Sequence, residues 1–132
     1  HMLKKHIEND LSKTKYYVVL GDFNIAPNDD DIYDPEAWKD RILCSKKERH
    51  ALKEILDLGF KDSFRIFEQD KELYSWWDYR TGAFRRNRGL RIDLILSNTA
   101  LSKKCSSSYI DTLPRKNERP SDHTPVVSVF DI

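Results

Sequence analysis

Near the start of the chain, a carboxylic acid and an amide follow directly after an apolar run. The run covers residues 16–20, closes at Gly21, and is followed by Asp22 and Asn24. A continuous apolar run of this kind predicts a strand buried on both faces, and side chains two positions apart on a strand point the same way. Asp22 and Asn24 would then orient a water, hold a divalent cation or bind a phosphate oxygen. The alternative is that they only form a turn.

A second acid, Asp93, lies inside another apolar run. In residues 92–96 the alternation places Ile92, Leu94 and Leu96 on one face and Asp93 on the other. A carboxylate within an apolar strand is costly unless it is paired or hydrogen bonded. Either Asp93 has a structural partner, or it holds a histidine in one tautomer and stabilises its charged form.

The candidate partner is His123, which follows Asp122 in the segment Ser121 to Pro125. Of the other histidines, one lies in the first two residues, which resemble a cloning scar, and two lie on expected helices. Taken alone, His123 is equally compatible with a turn residue or a satisfied core histidine. Asp122 alone would form a turn or a cap.

A basic and aromatic block lies between these two regions. Five arginines fall within residues 80–91, and aromatic residues flank them. Arginine binds phosphate oxygens bidentately and aromatic rings stack on bases, so the block is typical of a nucleic-acid surface. The alternative is a solvated, arginine-rich hairpin loop. The arginines are Arg80, Arg85, Arg86, Arg88 and Arg91, and the aromatic residues are Trp76, Trp77, Tyr79 and Phe84.

The first half of the chain predicts a helix, a strand, a loop and a second helix. Apolar residues recur every four positions before the strand at 16–20, as at the end of a helix. Residues 26–44 predict a long acidic loop that Trp38 and Ile42 tack down. Ser45 and Glu48 fit a capping box for a helix over residues 46–58.

The second half predicts strands. Residues 74–79 and 90–97 would pair as a hairpin around the basic loop. The last candidates are residues 107–112 and 126–131.

The composition is that of one polar domain, which we place at residues 3–132. The chain has 132 residues and a net charge of +1, with 39% hydrophobic and 34% charged residues. No apolar stretch reaches the roughly 18 residues needed to span a membrane. Cys44 and Cys105 have no metal-binding or disulfide pattern, which favours free thiols in a reducing cytoplasm.

Four blocks, in this order and spacing, resemble the exonuclease III family of DNA-repair nucleases. They are Gly-Asp-Phe-Asn at 21–24, Ser-Trp-Trp-Asp-Tyr-Arg at 75–80, Gly-Leu-Arg-Ile-Asp-Leu at 89–94 and Ser-Asp-His at 121–123. The first and last resemble the wider endonuclease/exonuclease/phosphatase superfamily. The resemblance runs from about Tyr16 to the end. It implies an α/β fold, one half of a four-layer sandwich of the DNase I-like type.

The resemblance also implies phosphodiester hydrolysis with Mg²⁺ or Mn²⁺. Asp22 would orient or deprotonate the attacking water, and Asn24 would hold that water or a phosphate oxygen. His123, paired with Asp93 as in the family, would donate to a non-bridging oxygen. Asp22, Asn24 and Asp122 would supply hard oxygen ligands to the metal.

The implied substrate is double-stranded DNA with abasic sites or 3′ ends. Trp76, Leu90 and Ile92 match positions that shape a pocket for a base-less sugar, although all three would equally suit a core. The basic block, with Asn87 and its arginines, would contact the backbone. A phosphoinositide or sphingomyelin substrate is a weaker alternative, because residues 74–91 are rich in arginine and aromatic side chains.

The chain resembles only the C-terminal half of that family. The other half carries a metal-binding glutamate, an asparagine, a histidine and a tyrosine of the site. We therefore expect this chain alone to be inactive or very weak. The alternative is a non-catalytic fragment that binds DNA or self-associates through the sheet face that the other half would cover.

Overall fold

The chain folds into helices packed beside two small antiparallel sheets. The structure is a computed structural model that describes residues 2–39, 41, 43–78, 82–116 and 121–132. The helices are α1 Met2–Leu11, α2 Pro35–Trp38, α3 Lys46–Leu56 and α4 Thr99–Ser102, and the strands are β1 Val18–Asp22, β2 Phe60–Asp62, β3 Asp93–Asn98, β4 Cys105–Ile110 and β5 Val126–Phe130.

The first sheet has the order β1-β3-β2, and β4 pairs with β5 in the second. β1 is therefore an edge strand, and it begins two residues later than the apolar run. Val18 and Leu20 are 40% and 63% exposed, so the prediction of a strand buried on both faces was wrong. The apolar pattern is present on both faces, but only one face packs against the helices.

The main core lies between the first sheet and helices α1 and α3. Its buried members are Ile7, Leu52, Ile55, Phe60, Leu94 and Leu96. The predicted capping box is present at the start of α3, where Ser45 Oγ accepts from the Glu48 amide at 3.1 Å. The helix ends at Leu56 rather than at residue 58. Gly59 follows with a φ of 111°, which favours glycine.

The acidic region at 26–44 is not an unbroken loop. It contains a 3-10 turn at Asp29–Asp31 and the short helix α2, which Pro35 begins and the Asp34 side chain caps. Trp38 packs against a second core cluster, as expected. Ile42 lies outside the described residues.

In the described part of the predicted hairpin of residues 74–79 and 90–97, which leaves out Tyr79, the two segments meet in a bridge between Trp76 and Leu90. Residues 75–77 pair with Leu90 on one side and with residues 122–124 on the other. This short segment therefore sits between the two parts of the chain that carry Asp93 and His123.

Neither cysteine forms a disulfide, as predicted from their lack of pattern. Burial raises the pKa of the Cys44 thiol to about 11. None of the helices in the described ranges combines the length and apolar character that a bilayer span requires.

Candidate active site

Asp22 and Asp93 meet at one end of the first sheet. Asp22 is the last residue of β1, Asp93 is the first of β3, and the antiparallel register pairs them directly. Directly opposed residues project from the same face of a sheet. The sheet therefore places two carboxylates side by side, at the end where the turn before β5 arrives.

His123 lies among three carboxylates. Its Nδ1 is 2.9 Å from Asp93 Oδ2, and its Nε2 is 3.6 Å from Asp22 Oδ2 and 3.9 Å from Asp122 Oδ1. About a third of the His123 side chain remains exposed. One ring nitrogen is thus engaged by Asp93, and the other faces Asp22, Asp122 and open space.

The surrounding charges shift the titration of this group. Burial lowers the pKa of His123, but the hydrogen bond and charge of Asp93, with the charges of Asp22 and Asp122, outweigh it and raise the pKa above 6.5. For Asp93 the effect of burial has the opposite sign. Burial raises the pKa of Asp93, and hydrogen bonds from His123 and Ser75 offset this only in part. The charged imidazole is the form that three facing carboxylates stabilise.

The backbone of Asn24 lies beside Asp22, but not through the strand alternation that was predicted. β1 ends at Asp22, so strand alternation does not relate the two residues. The Asn24 amide instead donates to Asp22 Oδ1 at 2.9 Å, and Asn24 has a φ of 53°. This left-handed conformation is one that asparagine tolerates better than most residues. The turn keeps Asn24 beside Asp22.

Ser75 is a contributor to the site that sequence reasoning missed. It is fully buried, and its Oγ accepts from the amides of Ile92 and Asp93, both at 3.1 Å. Its carbonyl accepts from the Thr124 amide at 2.9 Å. Ser75 therefore ties the start of β3 to the residue after His123. The local sequence, a serine before two tryptophans, contains no pattern that predicts a buried hydroxyl bonded to a distant strand.

The donors around His123 suit a hard divalent cation. Asp22, Asp93 and His123 each offer one ligand atom, and these atoms lie within 4.8 Å of one another. Asp122 lies outside that compact group, although its Oδ1 faces the same imidazole nitrogen. Carboxylate oxygens are ligands that Mg²⁺ and Mn²⁺ prefer, so Asp22 and Asp122 fit the metals that the resemblance implies, whereas a charged imidazole offers no lone pair to a cation.

The expected sugar-pocket residues are largely buried. Leu90 and Ile92 are 0% and 2% exposed and belong to a core cluster with Ala26, Ile32 and Cys44. In this chain both side chains are therefore core residues, and a role in shaping a sugar pocket stays a prediction. Trp76 differs, because it is only partly buried at the edge of that cluster.

Arg91 does not lie on the DNA-facing surface, and that prediction is corrected. It is 1% exposed, and its guanidinium bonds Asp31 through Nε at 2.7 Å and Asp62 through Nη2 at 2.5 Å. Arg65 also bonds Asp31 at 2.5 Å, and the Phe64 ring lies 4.8 Å from the Arg91 guanidinium carbon. These partners stabilise the buried charge, which is why this arginine can lie inside.

The other described arginines of the basic block differ from Arg91 in their exposure to solvent. Arg85, Arg86 and Arg88 are exposed, whereas Arg80 lies outside the described residues. The Asn87 amide group is used internally, since its Oδ1 accepts from Trp77 Nε1 at 3.2 Å and its Nδ2 donates to the Glu72 carbonyl at 3.0 Å. These two bonds help to hold the loop in shape, and a contact of Asn87 with DNA stays a prediction.

The base of this arginine loop is rigidly packed. Phe84 meets Trp77 edge-on, with ring centroids 4.9 Å apart. A Cβ on Gly89 would lie 2.5 Å from Trp77 Nε1, so only glycine fits there. The exposed arginines therefore lie next to a closely packed base.

The sequence matches a known family over most of its length. Residues 2–123 match the family described as "Endonuclease/Exonuclease/phosphatase family". The "Exodeoxyribonuclease III" of Haemophilus influenzae is 36% identical over 135 aligned residues, which cover 97% of this chain and 51% of that protein.

Solved structures agree with this match. A 3′ phosphatase, NExo, from Neisseria bound to a product DNA hairpin is 42% identical with a TM-score of 0.95, covering 98% of this chain and 51% of that one. An AP endonuclease from Archaeoglobus fulgidus is 36% identical with a TM-score of 0.86, covering 99% and 53%. The expected DNase I-like fold is thereby confirmed, and the chain spans about half the length of these relatives. The chain belongs to the endonuclease/exonuclease/phosphatase family, with exodeoxyribonuclease III and AP endonucleases as its homologues.

Proposed function

We propose that the longer protein to which this chain corresponds is a Mg²⁺- or Mn²⁺-dependent DNA-repair phosphodiesterase. Its activities would be those of an apurinic/apyrimidinic endonuclease, a 3′-to-5′ exodeoxyribonuclease and a 3′-phosphatase. The observation that carries this proposal is the geometry of His123. One nitrogen is held by Asp93 at 2.9 Å, while the other faces Asp22 and Asp122.

The arrangement supplies two of the functions that phosphodiester hydrolysis needs. Asp22, at the end of β1, accepts the proton of an attacking water or orients that water. The carboxylates around His123 outweigh the effect of burial and raise its pKa, which favours the imidazolium; this form would donate from Nε2 to a non-bridging oxygen where negative charge develops. Asp93 fixes the ring with Nδ1 as the donor toward its carboxylate and stabilises the imidazolium.

The remaining function is supplied by a divalent cation. Asp22 and Asp122 would hold it through carboxylate oxygens, and Asn24 would contribute its amide oxygen or bind a phosphate oxygen. The chemistry that a bound cation would supply is neutralisation of charge on the phosphate and stabilisation of the leaving 3′ oxygen. The arginines Arg85, Arg86 and Arg88 would bind the backbone of the duplex at abasic sites or 3′ ends.

The chain alone is proposed to have little or no activity, because it spans about half of its relatives. Their other half would supply the remaining metal ligands. The direct test is nicking of a duplex that carries one abasic-site analogue, with Mg²⁺ and with EDTA. We expect at most slow nicking that EDTA and the Asp22→Ala variant both abolish, and a rate higher by orders of magnitude for a protein of the relatives' full length.

Nicking that persists in Asp22→Ala would contradict the proposal. The alternative is a protein that binds DNA without cleaving it. That alternative holds if the protein of full length fails to nick the duplex, although it and the isolated chain both bind DNA in a salt-sensitive manner.

A second property is favoured by one exposed surface. Leu20 of β1 is opposite Ile95 of β3, and both line an open groove of about 380 Å³ that continues to Asp22 and Asp93. We propose that the isolated chain self-associates through this apolar face. Light scattering should show dimers or larger species that a Leu20→Glu variant reduces. A strictly monomeric chain at high concentration would refute this proposal.

A further inference from the structure

Trp76 makes a directed contact with an acid of the proposed site. Its indole Nε1 donates to Asp122 Oδ2 at 3.1 Å. A partly buried tryptophan needs a partner for its N–H, and here that partner is a carboxylate rather than water or a backbone carbonyl. The contact joins residues 46 positions apart.

The position of the Trp76 backbone is fixed on both sides. Its amide donates to the Leu90 carbonyl at 3.0 Å, and the Leu90 amide donates back at 2.9 Å. On the other side it forms a bridge with His123, and the neighbouring Trp77 amide donates to the Asp122 carbonyl at 3.0 Å. The indole therefore approaches Asp122 from a rigid support.

The ring of Trp76 is supported as well. It packs against the buried cluster that contains Ile32, Leu90 and Ile92. Few rotamers are then open to the ring, so its N–H keeps a constant direction. A donor that is fixed in both backbone and ring can hold a flexible carboxylate in one orientation.

The two oxygens of Asp122 consequently have separate surroundings. Oδ2 accepts from the Trp76 indole, while Oδ1 faces His123 Nε2 at 3.9 Å. We propose that Trp76 is a positioning residue, which holds Oδ2 so that Oδ1 is presented to the site. This inference rests on the proposed function for its consequence in cation binding, but the orientation of Asp122 can be measured without any cation.

The substitution Trp76→Phe removes the N–H and keeps an aromatic ring. Trp77→Phe is the matched control, because it removes an indole N–H bond to Asn87 that lies away from the carboxylates. The first measurement is the χ1 rotamer distribution of Asp122, from NMR three-bond couplings in the metal-free full chain. We expect one rotamer in the wild type and in Trp77→Phe, and averaging over rotamers in Trp76→Phe.

This rotamer measurement decides the inference. An Asp122 side chain that is averaged in the wild type, or that keeps one rotamer in Trp76→Phe, would overturn it. If Trp76 had only a structural role, Trp76→Phe and Trp77→Phe would both lose stability and neither would change Asp122 selectively, because each variant loses one indole hydrogen bond. Thermal unfolding of the two variants measures this loss of stability.

The second measurement is a Mn²⁺ titration, followed by paramagnetic broadening of the Asp22 and Asp122 amide signals. For a group that orients a metal ligand, removal weakens binding by about tenfold or more. We therefore expect the midpoint to rise about tenfold in Trp76→Phe and to stay unchanged in Trp77→Phe. If the wild type shows no broadening, the cation site of the proposed function fails, whereas an unchanged midpoint in Trp76→Phe overturns only the role of Trp76.

Discussion

Asp93 and His123 are 30 residues apart in the sequence, yet Asp93 Oδ2 lies 2.9 Å from His123 Nδ1. The contact joins the first residue of β3 to the turn before β5. Both ends are anchored by the buried Ser75, through its hydroxyl to the Asp93 amide and through its carbonyl to the Thr124 amide. The imidazole is therefore oriented by the fold, with Nε2 directed at Asp22.

The first prediction concerns the charge of Asp93. An Asp93→Asn variant keeps the shape of the side chain and removes a charge that raises the pKa of His123. The pKa of His123 should fall in the variant, which NMR titration of the ring protons measures. An unchanged curve for His123 would show that Asp93 is protonated or turned away in solution.

The raised pKa of His123 also predicts how stability depends on pH. A group whose pKa is higher in the folded state contributes stability that is fully present below the unfolded-state value, here 6.5, and is lost as pH rises through the folded-state value. The free energy of unfolding should therefore fall across that window in the wild type. The difference between wild type and His123→Gln, followed by urea denaturation at several pH values, isolates this contribution. A difference that is constant with pH would contradict it.

The third prediction tests the buried ion pairs of Arg91. An Arg91→Met variant leaves the buried Asp31 with Arg65 alone and removes the arginine that pairs with Asp62. Breaking buried pairs of this kind costs up to about 3–5 kcal/mol. The surface pair of Lys53 and Asp57, with side chains 73% and 66% exposed, is the comparison. Lys53→Ala should change stability by less than about 1 kcal/mol. Similar unfolding midpoints for the two variants would show that Arg91 is not buried in solution.

The fourth prediction concerns the exposed arginines. Replacing Arg85, Arg86 or Arg88 by alanine should weaken binding to duplex DNA to a similar degree for every sequence. Each lost phosphate contact should reduce the slope of log affinity against log salt by about 1. Lys47→Ala, an exposed cation on α3, is the control and should leave the slope unchanged. Slopes that stay constant in all three arginine variants would place the DNA surface elsewhere.

Local patterns predicted the parts of the site that depend on local chemistry. The capping box of Ser45 predicted the start of α3, and an acid inside an apolar strand predicted a partner for Asp93, which is His123. The same patterns failed for Arg91, because its burial depends on Asp31, which is 60 residues away in the sequence. Before the structure is known, an arginine with distant carboxylate partners looks the same as one that faces solvent.

The prediction that both faces of β1 are buried was wrong for a related reason. An apolar run such as Val18 to Leu20 shows that both faces of a strand are suited to burial, but not that both are covered in this chain. Coverage depends on which other segments pack there. In this chain Leu20 remains 63% exposed.

The last prediction concerns Ser75. A Ser75→Ala variant deprives the buried amides of Ile92 and Asp93 of their shared acceptor, and an unsatisfied buried donor costs about 1–3 kcal/mol. Ser106→Ala is the matched control, because its exposed hydroxyl only reaches the Val129 carbonyl at 3.3 Å. Urea denaturation should show a clear loss of stability for Ser75→Ala and almost none for Ser106→Ala. Because Ser75 also holds Asp93, amide hydrogen exchange should speed up most at Ile92 and Asp93, and uniform acceleration across the chain would argue against this local role.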